Sequence, residues 1–342
     1  MNRHSILLVV LAIVALMALG SCEKIIDFDR DTKSRISISA LVAPGQKFSA
    51  CIARSFTVAS NPTVSSTKKP GDDLDFHEKY DTMYHDLVVI KDATAVLTVN
   101  GTDTYTLQYN DSTPYYYACD YVPRVGDELV LNVSAPGFDD ASASTRIERP
   151  QQVEVVGTQV YYSEAGYEPG VPASDQQWYC GLDSVMEITL RIHDSAGERN
   201  YYRLRVLAVA DDSMAIMQGI SLPVYVTNDT YTSSDVIFAN SLITKPYGQW
   251  PAGQSSVFDD HLFDGQDYTF KVHSRKQKGE NPRVYVELET ISPDFYYYWR
   301  SYEVIRVNAD ESYLTPTALY SNVQGGWGVM MSLSYDRHTI SY

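Results

Sequence analysis

Residues 95–109 read AVLTVNGTDTYTLQY, and this stretch decides the fold class. A run with strand character over 95–99 meets Asn100-Gly101, and a second run follows over 105–109. Asn and Gly accept the left-handed backbone of a tight reversal, so this pair between two strand-like runs predicts a β-hairpin. Towards the N-terminus, Ile36 and Ile38 alternate with Ser37 and Ser39, Leu41-Val42 leads to a Pro44-Gly45 turn, and another strand is expected over 48–57. Towards the C-terminus, strands are expected over 115–121, 128–135 and 145–147, with Gly126-Asp127 as a turn. Short strands at this spacing predict an immunoglobulin-like β-sandwich over 35–149. Residues 59–86 interrupt it with Ser, Thr, Pro, Lys and Asp, a long polar loop of the kind that is functional or mobile.

Arg149-Pro150 marks the expected boundary of a second β-rich domain over 150–342. Strands are expected over 153–162, 185–194, 201–210, near 236–238, and over 268–273 and 283–291. In 185–194, Met186, Ile188, Leu190 and Ile192 alternate with Glu187, Thr189, Arg191 and His193, which places one set on each face of a strand. One helix is expected, over 293–309, where Phe295, Tyr298, Tyr302 and Ile305 recur at spacings of three and four. Ser292 reads as its N-cap, Pro293 as its first residue and Asp294 as an acid in its first turn. The fold class is therefore mostly β, in two domains, with one helix in the C-terminal half.

The N-terminus carries Arg3 and His4, an apolar run of 14 residues over 6–19, and then Gly20-Ser21-Cys22. A permanent membrane span needs roughly 20 apolar residues, so the run suits the core of a signal peptide over 1–21. The small residues admit a peptidase, and the Cys22 thiol is the acceptor for diacylglycerol transfer. Leu19-Gly20-Ser21-Cys22 resembles the lipobox of bacterial lipoproteins; the alternative is an ordinary signal peptide with an incidental cysteine. The acidic and mixed-charge segment that follows (Glu23, Lys24, Asp27, Asp29, Arg30, Asp31) makes 22–34 a tether. It resembles the export signal of surface lipoproteins of Bacteroidota, and is equally compatible with a plain solvated linker.

Loss of Arg3 with the signal peptide leaves 26 basic against 43 acidic side chains, a charge of -17. So acidic a chain is no partner for nucleic acid, whose phosphates demand basic patches. About 320 mature residues make two domains the natural prior. Once Cys22 is lipidated, Cys51, Cys119 and Cys180 remain. An odd count leaves at least one thiol unpaired; free thiols are expected, with a single Cys51–Cys119 bridge as the alternative.

The order of several further features carries a family resemblance. Cys22-Glu23-Lys24 with Ile26-Asp27, the 95–99 strand with its turn, Val125-Gly126-Asp127 and the Arg149-Pro150 junction come first. Tyr201-Tyr202-Arg203-Leu204, Phe258-Asp259-Asp260 with Phe263-Asp264-Gly265-Gln266, the tyrosine-rich helix, and Tyr320-Ser321-Asn322-Val323 with Gly325-Gly326 complete the series. Together they resemble the Bacteroidota lipoprotein family catalogued as DUF4249, a domain of unknown function. Members usually follow the last glycines with a Gly-x-Phe-type segment, where this chain has Trp327-Gly328-Val329-Met330-Met331 as the closing strand. The resemblance implies an exported, two-part, mostly β lipoprotein, often encoded beside a TonB-dependent outer-membrane transporter. It hands over no activity, cofactor or catalytic residues.

The chemistry-bearing patterns are sparse. The chain contains no His-Glu-x-x-His, Gly-x-Ser-x-Gly, phosphate loop or Cys-x-x-Cys. His77 and His85 lie among Asp72, Asp73, Asp75, Glu78, Asp81 and Asp86, and read more simply as part of a solvated loop than as metal ligands. Residues 259–265 fail as an EF-hand, because Leu262 and Lys271 occupy ligand positions; a turn into the strand at Tyr268 is expected instead. No catalytic residue, metal site or cofactor is implied. The clustered aromatics Tyr115, Tyr117, Tyr296, Tyr297, Trp299 and Trp327 are the candidate surface for a peptide, glycan or protein partner. Against that stands strand alternation, which sends half of each cluster into a core. Thr82, Ser112, Ser184, Ser195 and Ser213 each follow an Asp and precede an apolar or small residue, a pattern resembling Bacteroidota O-glycosylation sites, though turn chemistry enriches the same pairs.

The expected function is a non-enzymatic accessory lipoprotein at the outer membrane, facing the cell surface or the periplasm, with a transporter as partner. A surface adhesin or structural subunit is the alternative, and a hydrolase assembled from distant residues is the third reading.

Overall fold

The structure is a computed structural model and describes residues 33–55, 88–110, 117–163, 183–209, 231–243, 253–275, 283–308 and 318–341. The described residues from Ser34 onward belong to one compact unit. The chain is mostly β, with several sheets and one long helix among the described residues.

The first half supplies β1 (Ile36–Val42), β2 (Ser49–Arg54), β3 (Thr94–Val99), β4 (Asp103–Thr106), β5 (Gln108–Tyr109), β6 (Tyr117–Ala118), β7 (Glu128–Ser134) and β8 (Ala141–Arg146). The hairpin expected around Asn100-Gly101 is β3–β4, and both turn residues take positive φ, 50° and 73°. Its second strand breaks at Leu107: β4 pairs with β3, whereas β5 pairs with β6 in another sheet. The side chain of Asn100 closes the turn region by donating to Asp127 (3.0 Å) and accepting from the Glu128 amide (2.9 Å). Alternation then decides the core. Ile36, Ile38, Ala95, Leu97, Leu129, Leu131 and Ala143 meet in one buried cluster, while their sequence neighbours face outward.

The second half supplies β9 (Gln152–Ser163), β10 (Asp183–His193), β11 (Tyr201–Val209), β12 (Tyr231–Thr232), β13 (Val257–Asp259), β14 (Asp267–Arg275), β15 (Arg283–Ile291), α1 (Pro293–Asn308) and β16 (Trp327–Ser341). A second cluster unites Met186, Ile188, Leu190 and Ile192 of β10 with Tyr202, Leu204 and Val206 of β11 and Val284, Val286 and Leu288 of β15. Residues 236–238, read from the sequence as a strand, form a 3-10 turn. Asp235 is its N-cap and accepts from the Ile237 amide (3.1 Å), which holds the chain in a tight bend instead of a ladder.

Among the described residues three sheets run β13-β11-β15-β16-β1-β2-β6-β5, β12-β14-β10-β9, and β4-β3-β7-β8. The long one draws strands from both sides of Pro150, and β16 joins them. Trp327–Ser332 lies parallel to β1, and Leu333–Ser341 lies antiparallel to β15. One strand therefore ties the first cluster to the second.

β11 and β15 are buried on both faces, so their odd-numbered residues also need partners. Arg203, Arg205, Glu287 and Glu289 among them are charged and buried, and the register places Arg203 opposite Glu289 and Glu287 opposite Arg337. Arg203 donates to Glu289 through Nε and through Nη2 (2.8 Å), and Arg205 lies 3.9 Å from the same carboxylate. Arg337 donates to Glu287 at 2.8 and 2.6 Å. Burial opposes the charge on Glu289, but Arg203 and Arg205 outweigh it and hold the carboxyl below its ordinary range.

Candidate functional site

Helix α1 starts as its sequence dictates. The Ser292 hydroxyl accepts from the Phe295 amide (3.3 Å), Pro293 opens the helix, and Asp294 sits in the first turn. Its buried side differs from the expected stripe. Phe295, Tyr296, Glu303, Val304 and Val307 are buried, whereas Tyr298, Tyr302 and Ile305 are half-buried. The reason is what lies underneath. The Arg203 guanidinium packs 4.8 Å from the Phe295 ring centroid and 5.0 Å from that of Trp299, so part of the inner face is a cation–π seat rather than an aliphatic one.

Glu303 is the other polar group on that face. It accepts from Ser255 Oγ, from the Ser256 amide (3.2 Å) and hydroxyl (3.0 Å), and from Trp299 Nε1 (3.0 Å). Burial pushes its carboxyl up, and these four donors pull it back only in part. An acid raised in the folded state leaves stability untouched below the ordinary carboxyl value and lowers it as pH rises past that value. Glu303→Gln is therefore expected to gain in melting temperature over the parent between acid and neutral pH, with the two curves converging in acid. A parallel offset at all pH values would contradict this.

The aromatic candidates separate cleanly by burial. Tyr117 is a core residue whose hydroxyl donates to the Ile90 carbonyl (2.6 Å), which removes it from any exposed surface. Tyr296 is also buried, because it lies under its helix and accepts from Arg300 Nη1 (2.6 Å). Trp299 is half-buried, with its indole nitrogen spent on Ser256 and Glu303. Tyr115 lies outside the described residues. Tyr297 and Trp327 remain exposed, at 46% and 52%.

Around Tyr297 the chain builds a tyrosine face that sequence spacing did not reveal as a unit. Tyr201 lies at the start of β11, and its ring centroid is 4.7 Å from Tyr296 and 6.0 Å from Tyr297; Tyr320 approaches Tyr297 at 5.7 Å. The Tyr201 and Tyr297 hydroxyls are 3.4 Å apart, and Tyr320 donates to Asp294 (2.6 Å). Arg199 lies 5.9 Å from the Tyr201 ring and donates to Asp259 (2.9 Å), which also holds His261. Burial and the Tyr297 hydroxyl raise the Tyr201 phenol; burial and Asp294 raise that of Tyr320. Both stay neutral at physiological pH, so the exposed Tyr297 ring is backed by the uncharged rings of buried Tyr201 and half-buried Tyr320, with a guanidinium beside them.

A second grouping joins loops 66 positions apart. Asp194, after β10, meets Asp260 and Asp264, before β14, with their carboxylate oxygens within 4.8 Å of one another. Asp194 accepts from the Tyr202 hydroxyl and the Gly265 amide (2.7 Å), Asp260 from the Asn200 amide (2.5 Å), and Asp264 from the Gly197 amide (3.3 Å). These bonds lace the two turns together. Burial raises the Asp260 carboxyl, with Asp194, Asp264 and Asp259 adding to it. As expected, 259–265 runs through a turn into β14.

Cys51 and Cys119 are free, so the alternative bridge is not formed; Cys180 lies outside the described residues. Burial raises both thiols. The Ser195 hydroxyl donates to Gln151 (3.0 Å), and Ser184 lies in β10. Cys22, Thr82, Ser112, Ser213, His77, His85 and the whole of 59–86 fall outside the described residues. Among the described residues no helix is long and apolar enough to cross a membrane.

A mostly β protein with strands from both halves in one sheet and an aromatic face on its helix is the class these observations define. Residues 23–339 match the family described as a domain of unknown function (DUF4249), and the chain belongs to that family. No curated protein and no solved structure matches it.

Proposed function

We propose that the protein is an outer-membrane lipoprotein, anchored through Cys22 and facing outward, that acts as a non-enzymatic binding subunit of a TonB-dependent transporter system. The observation that carries the binding role is the exposed Tyr297, braced by the half-buried Tyr320 and by the buried Tyr201 behind it. Rigid neutral rings with a neighbouring arginine bury much area at low entropy cost, which is what a protein, peptide or glycan contact needs. The lipobox and the acidic tether support the anchor, and the order of motifs shared with the family supports the transporter. In this reading residues 35–149 form an immunoglobulin-like sandwich and 150–342 a second β-rich domain, in keeping with two core clusters tied by β16.

Affinity purification from native membranes in mild detergent tests the proposal. A TonB-dependent transporter is expected to co-purify with the parent chain, and its recovery should fall about ten-fold with Tyr297→Ala, the loss that follows from truncating one aromatic anchor. Recovery of the bait with no transporter would overturn it.

A further inference from the structure

The tether leaves the fold at one end of the shared sheet, and that end carries the most exposed aromatic ring among the described residues. Arg35 precedes β1, and its guanidinium lies 5.8 Å from the Trp327 ring centroid. Trp327 begins β16 and pairs with Ser37. Its indole is 52% exposed although the backbone beneath it is tightly fixed.

That fixing uses three glycines. A Cβ on Gly325 would meet the Asp140 carbonyl oxygen at 2.3 Å, one on Gly326 the Ile36 carbonyl oxygen at 2.3 Å, and one on Gly328 the Ile38 carbonyl oxygen at 2.0 Å. The chain therefore lies flat on β1 and on the turn before β8, and the one side chain in Gly-Gly-Trp-Gly points away from that support. An apolar ring held outward by a rigid backbone is placed, not left over.

The tether limits what the ring can meet. Thirteen residue steps separate Cys22 from Arg35, a length that can span at most about 45 Å. A lipid on Cys22 keeps this end beside the bilayer at all times. Such tethering gives an effective concentration on the order of millimolar, enough for a single weak contact to be occupied. Indole is the side chain best suited to the contact, because its ring favours the headgroup layer while its N–H stays hydrated. Arg54 sits at the same end with its guanidinium 5.9 Å from Phe138, and Asp139 and Asp140 are exposed beside it. The mixed charges suit a zwitterionic surface rather than a strongly anionic one.

We infer that the Trp327 end of the shared sheet docks on the bilayer that anchors the protein, with the indole at headgroup level. The tyrosine face of helix α1 is then left for a partner. This inference rests on the anchor proposed above.

The mature chain from residue 23, carrying an N-terminal histidine tag in place of the lipid, can be held on vesicles of brominated phosphatidylcholine doped with nickel-chelating lipid. The artificial tether makes the result independent of whether Cys22 is lipidated, which the intact mass of the native N-terminus reads separately. Brominated lipid is expected to quench part of the tryptophan emission of the bound parent chain. That part should vanish in Trp327→Phe, with an unchanged circular-dichroism spectrum and melting temperature showing the fold intact. Retention on vesicles sparse in nickel lipid should fall on the order of ten-fold in Trp327→Ser, as expected for losing one buried indole. Quenching that is absent from the bound parent chain, or equal in the parent and Trp327→Phe, would overturn the docking and free Trp327 for a protein partner.

Discussion

Replacing Glu289 with alanine is expected to destabilise the protein by about 3–5 kcal/mol, the usual cost of removing one partner of a buried ion pair. Glu289 has no exposed side-chain surface, and Arg203 and Arg205 are only 2% exposed. Alanine would leave the Arg203 guanidinium beneath helix α1 without its bidentate carboxylate, and would remove a carboxylate 3.9 Å from Arg205. The Phe295 and Trp299 rings against Arg203 soften the loss only slightly, since a cation–π contact does not replace a bidentate carboxylate. The pair as a whole is another matter. Arg203→Met combined with Glu289→Met should recover most of the loss, because the charges repay little more than their own desolvation. Thermal melts of Arg203→Met, Glu289→Met and the double variant form the cycle that decides this. A double variant as unstable as the sum of the singles would mean that the two charges are not coupled, and would overturn this account. The pH dependence follows from the lowered carboxyl of Glu289. Its contribution is present above the ordinary carboxyl value and fades only as pH falls through the lower folded value. The gap between the parent and Glu289→Ala should therefore hold through neutral pH and close in acid.

That ladder was visible in the sequence in outline. Arg203 and Arg205 stand two apart in one strand, as do Glu287 and Glu289 in another, which places each pair on one face. Spacing alone does not say that the two strands are neighbours in register, and the charges read as a solvated face until they are. The same limit governs Asp194 and Asp260, which need the β11–β13 and β10–β14 pairings to meet. Local signals were more dependable. The Asn100-Gly101 turn, the alternation of Met186, Ile188, Leu190 and Ile192, and the Ser292-Pro293 helix start are decided within a few residues, and the structure contains all three. Residues 236–238 misled because Val-Ile-Phe has strand propensity, while the Asp235 side chain that bends it acts through one hydrogen bond. The tyrosine face was half legible. Tyr297 was a candidate from its cluster, but Tyr201 and Tyr320 join it only because β11 and the residues after helix α1 converge there. Neighbouring tyrosines divided as alternation and helical spacing require, with Tyr296 inward and Tyr297 outward.

Gly328→Ala is the substitution with the second large expected effect, and it probes the link between the two halves of the chain. Gly328 has φ +100°, outside the region that residues with a Cβ adopt without strain, and its own Cβ would lie 2.0 Å from the Ile38 carbonyl oxygen. The strain alone costs about 1–3 kcal/mol. The clash adds to it, because the opposing atom is backbone in the centre of a sheet and cannot swing aside. Relief requires β16 to lift from β1, which withdraws Met330 from the first core cluster and breaks the ladder that, among the described residues, joins it to the second. A total loss of more than about 3 kcal/mol is expected, beyond that of ordinary core trimming at a single methyl. Hydrogen exchange should locate it, with protection lost over 36–42 and 327–332 before it is lost over 283–291. Gly157→Ala is the matched control. Gly157 lies in the edge strand β9 with open space around its Cβ position and no positive φ, so alanine there should change stability by less than about 1 kcal/mol and in the stabilising direction. Equal melting temperatures for Gly328→Ala and the parent would mean that the β1–β16 pairing is not what unites the molecule. A lower melting temperature with uniform loss of protection would mean instead that the two core clusters unfold as one, with β16 coupling them throughout the transition.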